Sequence, residues 1–170
     1  MQPIVSIIGH HNSGKTRLIT RVLPVLTARG LRVATAKHSP HLETIDAPGA
    51  DSAQHLAAGA DRVLLRGERS SALFWRHGAS SPALEIERLL GDADLVLVEG
   101  GKSLSFPKIE VFRRGSELTR EPLAGEIDVA AVVTDERVPL PDEIYVFSTR
   151  DLGEISDLIE VLAFGEALSA

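Results

Sequence analysis

The sequence predicts an α/β protein built on a mainly parallel β-sheet flanked by helices. Short, nearly continuous apolar runs alternate with helical patterns along most of the chain, the arrangement expected of β-α-β units. Apolarity in the runs is continuous rather than alternating, which suggests strands covered on both faces. A glycine-rich turn also links the first run to the first helix, where a parallel sheet places its ligands.

The candidate strands are Ile4 to Ile8, Leu31 to Ala36, Arg62 to Leu65, Leu95 to Val98, Ile109 to Phe112, Val129 to Val133 and Ile144 to Phe147. Several are rich in Val and Ile and bounded by Gly, Pro or Asp. Between the first two, Leu18, Ile19, Val22, Leu23 and Leu26 recur at three- and four-residue steps, one apolar helix face, with Gly30 as the stop. Pro24 falls inside that pattern and predicts a local bend and one missing backbone bond. Further helices are expected from Asp51 or Ser52 to Ala58, from Pro82 to Leu90 and from Leu152 to about Ala163, with Gly59 and Gly91 ending the first two.

At 170 residues the chain is expected to form one domain, residues 1–170, able to bury roughly 70% of its unfolded surface. It has no Cys, so disulfides and thiolate metal sites are excluded. Twenty-four acidic against 18 basic side chains leave a formal charge of −6, which argues against a polymeric nucleic-acid ligand. The N-terminus lacks a basic region ahead of its short apolar run, and no run is long enough to span a bilayer. A cytoplasmic protein without membrane association is expected.

Gly9-His10-His11-Asn12-Ser13-Gly14-Lys15-Thr16 satisfies G-x-x-x-x-G-K-[ST] at every fixed position, between an apolar strand and an amphipathic helix. The glycines allow a tight turn that aims successive N–H groups at phosphate oxygens, and the following helix adds its positive end. Lys15 is placed to meet the β- and γ-phosphates and Thr16 to ligate Mg²⁺. His10 and His11 fill variable positions and are expected to be solvated or to face phosphate. The motif predicts a P-loop NTPase fold and a nucleoside triphosphate ligand.

Ligands of open parallel sheets gather beyond the carboxyl ends of the strands. Glu99 ends Asp94-Leu-Val-Leu-Val-Glu99 and so points toward the phosphates, a Walker B pattern with Glu for Asp, suited to Mg²⁺ or to orienting a water. Asp94 opens the same run and is expected at the far edge in a structural or solvated role. Lys37 and His38 end the second run, and Asp135 ends Ala130-Ala-Val-Val-Thr-Asp135, at the ligand edge by the same rule. Gly101-Lys102-Ser103 is not a second P-loop, because Val96 stands where its first glycine belongs; Lys102 is a basic residue beside the first site. In the segment 37–52, His38, His41, Asp46 and Asp51 could ligate metal, contact a polar substrate or solvate a loop, and Asp51 or Ser52 could cap the next helix.

With these residues in place the chain resembles the MobB family of molybdopterin-guanine dinucleotide biosynthesis adapter proteins. The resemblance is carried by the P-loop, by Lys37-His38 followed by His41, Asp46, Pro48-Gly49 and Asp51-Ser52, and by Ala58-Gly59-Ala60. It continues through Leu97-Val98-Glu99-Gly100 with Lys102, Lys108-Ile109 and Val133-Thr134-Asp135. Gly101 departs from the bulky, often aromatic residue of that family.

The resemblance implies a homodimeric GTP-binding adapter with at most weak Mg-dependent GTPase activity, assisting molybdopterin guanylyltransferase and other molybdenum cofactor proteins, with molybdopterin as a candidate ligand. It implies that Gly9 to Arg17, with Lys37, His38 and Lys102, hold the nucleotide. Lys15 and Glu99 would act in catalysis, Thr16 and Glu99 would hold metal, and Asp135 would meet the guanine edge. The competing readings are a small-molecule kinase using Arg66, Arg69, Arg76, Arg113, Arg114 and Arg120, and a metallochaperone GTPase using His38 and His41.

Overall fold

The computed structural model describes residues 3–40, 46–47, 49–76, 78, 80–115 and 120–165. They form two compact units, one of residues 1–38 and 82–170 and the other of residues 39–81.

The larger unit is a six-stranded, wholly parallel sheet of order β2-β5-β1-β6-β7-β8. The strands are β1 (Ile4–Ile8), β2 (Val33–His38), β5 (Leu95–Gly100), β6 (Lys108–Val111), β7 (Ala131–Val133) and β8 (Tyr145–Phe147). The helices are α1 (Lys15–Ala28), α3 (Pro82–Leu90) and α4 (Leu152–Phe164). The central strands are apolar because both faces are covered. On one face Val5, Ile7, Leu97 and Ile109 pack with Leu18, Val22 and Leu26 of α1 and Ile155 and Ile159 of α4. On the other, Ile4, Val96 and Val98 pack with Leu104, Phe106 and, from α3, Ile86 and Leu90, while Ile8 and Val132 pack with Phe112 and Leu123. Each fully buried Leu or Ile contributes about 2 kcal/mol of transfer free energy.

Helix α1 runs through Pro24 without a break. The proline has no N–H to donate, so that helical bond is absent. Gly30, at φ 87°, follows the helix as expected. Among the described residues, two carboxylates are fully buried in this unit. Glu160, fully buried on α4, takes a 2.6 Å hydrogen bond from Arg29 at the end of α1, and Arg29 also pairs with Asp157. Glu110, fully buried in β6, accepts from the backbone N–H groups of Leu123 and Ala124 at 2.9 Å and fixes the start of the 3₁₀ turn Leu123–Gly125. Burial pushes its carboxyl up, against the pull of those two donors.

The smaller unit contains α2 (Asp51–Ala57) and an antiparallel hairpin of β3 (Arg62–Arg66) and β4 (Ser71–Trp75). The expected strand at 62–65 thus belongs to a separate two-stranded sheet and is largely exposed, not covered on both faces. Its partner β4 was not anticipated. The capping expectation at Asp51 or Ser52 is also corrected: α2 is preceded by Ala50, and Ser52 instead donates its hydroxyl to Asp46 at 2.6 Å.

Candidate functional site

Because every strand of the larger sheet runs the same way, its carboxyl ends bring Lys37-His38, Glu99-Gly100, Gly9, Val111, Asp135 and Ser148 to one edge. The register aligns Glu99 with Ile7 on one side and Lys37 on the other. Of the predicted strand-end residues, Glu99 bonds Thr16 and faces Lys37, Asp135 lines the cavity beside Ser13 and Gly14, and His38 is half-buried at the end of β2.

The Gly9–Thr16 loop is shaped for close backbone approach. A Cβ at Gly9 would lie 2.3 Å from the Val111 carbonyl oxygen and 2.7 Å from Ser13 Oγ, so only glycine fits. Asn12 and Gly14 are both left-handed, at φ 57° and 104°, which turns neighbouring N–H groups to one side in the manner of an anion-binding nest. Ser13 Oγ is buried and has no hydrogen-bond partner among the described residues. An orphaned hydroxyl inside such a loop is costly unless a ligand completes it.

Lys15 Nζ donates to the carbonyls of His10 at 2.6 Å and Gly9 at 3.3 Å. Its pKa is lowered, first by burial and then by Lys102 and Lys37, while Glu99 opposes the shift. Three ammonium groups near one another with one carboxylate make a local field that favours an anion, despite the chain's overall charge. Thr16 Oγ1 donates to Glu99 Oε2 at 2.8 Å, and Lys37 Nζ lies 3.3 Å from Glu99 Oε1. A hydroxyl and one carboxylate side by side suit Mg²⁺, which keeps several of its waters and shares the rest of its shell with phosphate. The ion would neutralise charge on the β- and γ-phosphate oxygens when bound.

His10 is turned toward the chain rather than into the loop. Its Nε2 is 2.9 Å from the Glu121 carbonyl oxygen, and its ring stands edge-on to Phe112 with centroids 6.4 Å apart. His11 is exposed. Lys102 is exposed beside the loop, and Gly101 before it has φ 74°; a Cβ there would meet Leu104 Cδ1 at 2.7 Å, so this chain's turn is built for glycine. Asp94 forms a fork with Arg32 at the opposite edge, accepting also from the Arg32 backbone N–H, which is the structural of the two roles expected there. Asp46 serves its own loop, accepting from Ala47 N and Ser52 Oγ. His41 and Pro48 lie outside the described residues, and among those described no three His, Asp or Glu side chains gather as a metal site.

Beside Ser13 and Gly14 opens a cavity of about 580 Å³. Arg17 and Arg21 of α1, Arg113, Asp135, Glu136, Thr149 and Arg150 line it. Asp135 accepts from Ser148 Oγ at 2.7 Å, Thr149 N at 3.0 Å and Thr149 Oγ1 at 2.6 Å. Those bonds hold its carboxyl down to about 2, Thr149 contributing most. Ser148, Thr149 and Arg150 were missed as site residues, although the strand-end rule applied to the run 144–147 reaches them directly.

The family model described as molybdopterin guanine dinucleotide synthesis protein B, MobB, matches residues 4–135, which include the loop, Glu99 and Asp135. The chain belongs to the MobB family. It is 34% identical over 162 residues to a molybdopterin-guanine dinucleotide biosynthesis adapter protein of Haemophilus influenzae, covering 93% of this chain and 88% of that one. The adapter protein of Escherichia coli is 30% identical over 164 residues, with 94% and 92% covered. Among solved MobB structures, one of molybdopterin-guanine biosynthesis protein B superposes with a TM-score of 0.70 at 32% identity, over 94% of this chain and 99% of the other. Bacillus subtilis MobB superposes at 0.71 and 26% identity, over 96% and 99%. The parallel sheet is thus the P-loop NTPase fold of MobB proteins.

Proposed function

We propose that this MobB-family protein is a GTP-dependent adapter in molybdopterin-guanine dinucleotide biosynthesis, binding MgGTP at Gly9 to Arg17 and assisting the guanylyltransferase of that pathway. The observation that carries the reading is the meeting of Lys15, Thr16, Glu99 and Lys37 around a loop whose buried Ser13 hydroxyl lacks a partner. The names of the H. influenzae and E. coli relatives support the adapter role. Lys15 and Lys102 meet phosphate oxygens, Thr16 and Glu99 hold Mg²⁺, and His38 sits at the end of β2 beside Lys37. Asp135, ionised at neutral pH, suits the N–H donors of a guanine edge, which adenine does not present in the same pattern.

Hydrolysis in this reading is slow. The sequence has two glutamines, Gln2 and Gln54, and Gln54 donates to the Gly49 carbonyl in the smaller unit. No glutamine of the loop or of β5 is available to orient an attacking water. The protein acts as a homodimer, supported by the hairpin β3–β4, on which paired Leu64 and Leu73 are 63% and 41% exposed. A two-stranded sheet is marginal in water and gains stability when a second copy covers it. Molybdopterin is a candidate ligand of the loops around the site. Cytoplasmic placement agrees with the finding that no helix among the described residues is long and apolar enough to cross a membrane.

The test is a reconstitution. Purified guanylyltransferase with molybdopterin and GTP forms dinucleotide faster when this protein is added and not when Lys15→Ala replaces it. Equal rates with and without the wild-type protein contradict the adapter reading.

A further inference from the structure

The nucleoside end of the site has a feature that the phosphate loop does not explain. Val111, Val133 and Phe147 stand in register across the adjacent strands β6, β7 and β8. Arg113 and Asp135 each follow two residues beyond that row and Arg150 three residues beyond, so the carboxylate leaves the sheet between two guanidinium-bearing residues. All three line the 580 Å³ cavity beside the loop. Neighbouring strands lie about 4.8 Å apart, which separates the exits of β6 and β8 by about 10 Å and leaves room for one planar ring with a cation within about 6 Å of each face.

Among the described residues the cavity offers a ligand no aromatic surface. Its one aromatic lining residue is Phe112, 2% exposed and packed into the core. The planar groups available are guanidiniums. Arg21 is committed to the Thr149 carbonyl at 2.6 Å, and Arg17 belongs to α1 rather than to a strand end. Among the described residues the side chains of Arg113 and Arg150 have no hydrogen-bond or ion-pair partner. The Arg150 charge is nonetheless near enough to Asp135 to help hold its carboxyl in the ionised form.

We propose that Arg113 and Arg150 bracket the planar base of the bound nucleotide from its two faces while Asp135 meets its edge. The guanidinium pair is then the stacking element of the site and a determinant of its preference for a nucleotide over a bare polyphosphate. The proposal rests on the nucleotide reading above.

Equilibrium binding of GTP and of inorganic tripolyphosphate, both with Mg²⁺, separates the two. Arg113→Ala and Arg150→Ala each weaken GTP binding about fivefold, and the double variant about twentyfold, for a cation over a ring at a partly exposed site. Tripolyphosphate binding is unchanged in all three, which also shows that the loop is folded. Unchanged GTP affinity in the double variant overturns the bracket, and so does a parallel loss of GTP and tripolyphosphate, which would place the arginines on phosphate. If the wild-type protein binds GTP no more tightly than tripolyphosphate, the nucleotide reading itself fails, and the bracket with it.

Discussion

Thr16 Oγ1 donates a 2.8 Å hydrogen bond to Glu99 Oε2, joining the first helical turn after the phosphate loop to the end of the neighbouring strand β5. The other Glu99 oxygen faces Lys37 of β2 at 3.3 Å. One carboxylate therefore ties the ends of β5 and β2 to the helix that follows the β1 loop.

Replacing Lys15 by Ala removes the ammonium that now bonds the His10 and Gly9 carbonyls and would otherwise meet phosphate. Triphosphate affinity falls about tenfold to a hundredfold, the worth of a hydrogen bond to a charged group. Calorimetric titration of wild type and Lys15→Ala checks this. Unchanged affinity removes the phosphate site.

Asp135 has a pH signature. Its folded-state pKa, about 2, lies below the ordinary carboxylate value of 3.8, because Thr149 and Ser148 donate to the ionised form. Its stabilising contribution is therefore complete above the ordinary value and is lost as the pH falls toward about 2. Asp135→Asn flattens the stability profile between about pH 4 and pH 2 and leaves it otherwise parallel. Acid titration followed by circular dichroism, with a carboxyl NMR titration of Asp135, reads both quantities. A carboxyl that titrates near 4 contradicts the network.

Much of this architecture is legible in the sequence for a physical reason. A strand covered on both faces is mainly apolar, so β1, β5 and β7 announce themselves, while β6 carries the buried Glu110 between Ile109 and Val111, and a phosphate loop needs glycines where Gly9 and Gly14 stand. The hairpin was read only in half. Ser71–Trp75 pairs with Arg62–Arg66 across the turn closed by the Gly67 N–H to Ser70 carbonyl bond, and its run Ala72-Leu73-Phe74-Trp75 is a continuous apolar mark of the kind that predicts a strand. The boundaries of β2 shifted because Leu31 is held by the turn that ends α1 and Arg32 by Asp94, contacts distant or irregular in sequence. The strand-end rule places Glu99, Lys37 and Asp135 at the carboxyl edge of the sheet, where they stand. The engagement of His10 by the Glu121 carbonyl was not legible, since nothing in the loop motif specifies which way a variable side chain turns.

Arg29→Ala withdraws the guanidinium that pairs with fully buried Glu160 and half-exposed Asp157. Breaking a buried pair from one side costs about 3 kcal/mol, because the remaining carboxylate keeps its desolvation penalty. Urea unfolding gives this difference from the midpoint at constant m-value. A loss below about 0.5 kcal/mol, the scale of a surface pair, contradicts a buried role.

Leu64→Arg and Leu73→Arg place charge on the exposed leucine pair of the hairpin. The expected outcome in sedimentation is a dimer for the wild-type protein and monomers with the same far-UV spectrum for these variants. Dimeric variants remove the hairpin from the interface.

The central claim, a guanine nucleotide held by the loop and Asp135, is tested most directly by competition. Labelled GTP bound with Mg²⁺ is challenged with unlabelled GTP, GDP and ATP. Unlabelled GTP displaces the label, GDP does so more weakly for want of the γ-phosphate that Lys15 meets, and ATP fails at concentrations where GTP succeeds. Displacement by ATP as effective as that by GTP contradicts the guanine assignment.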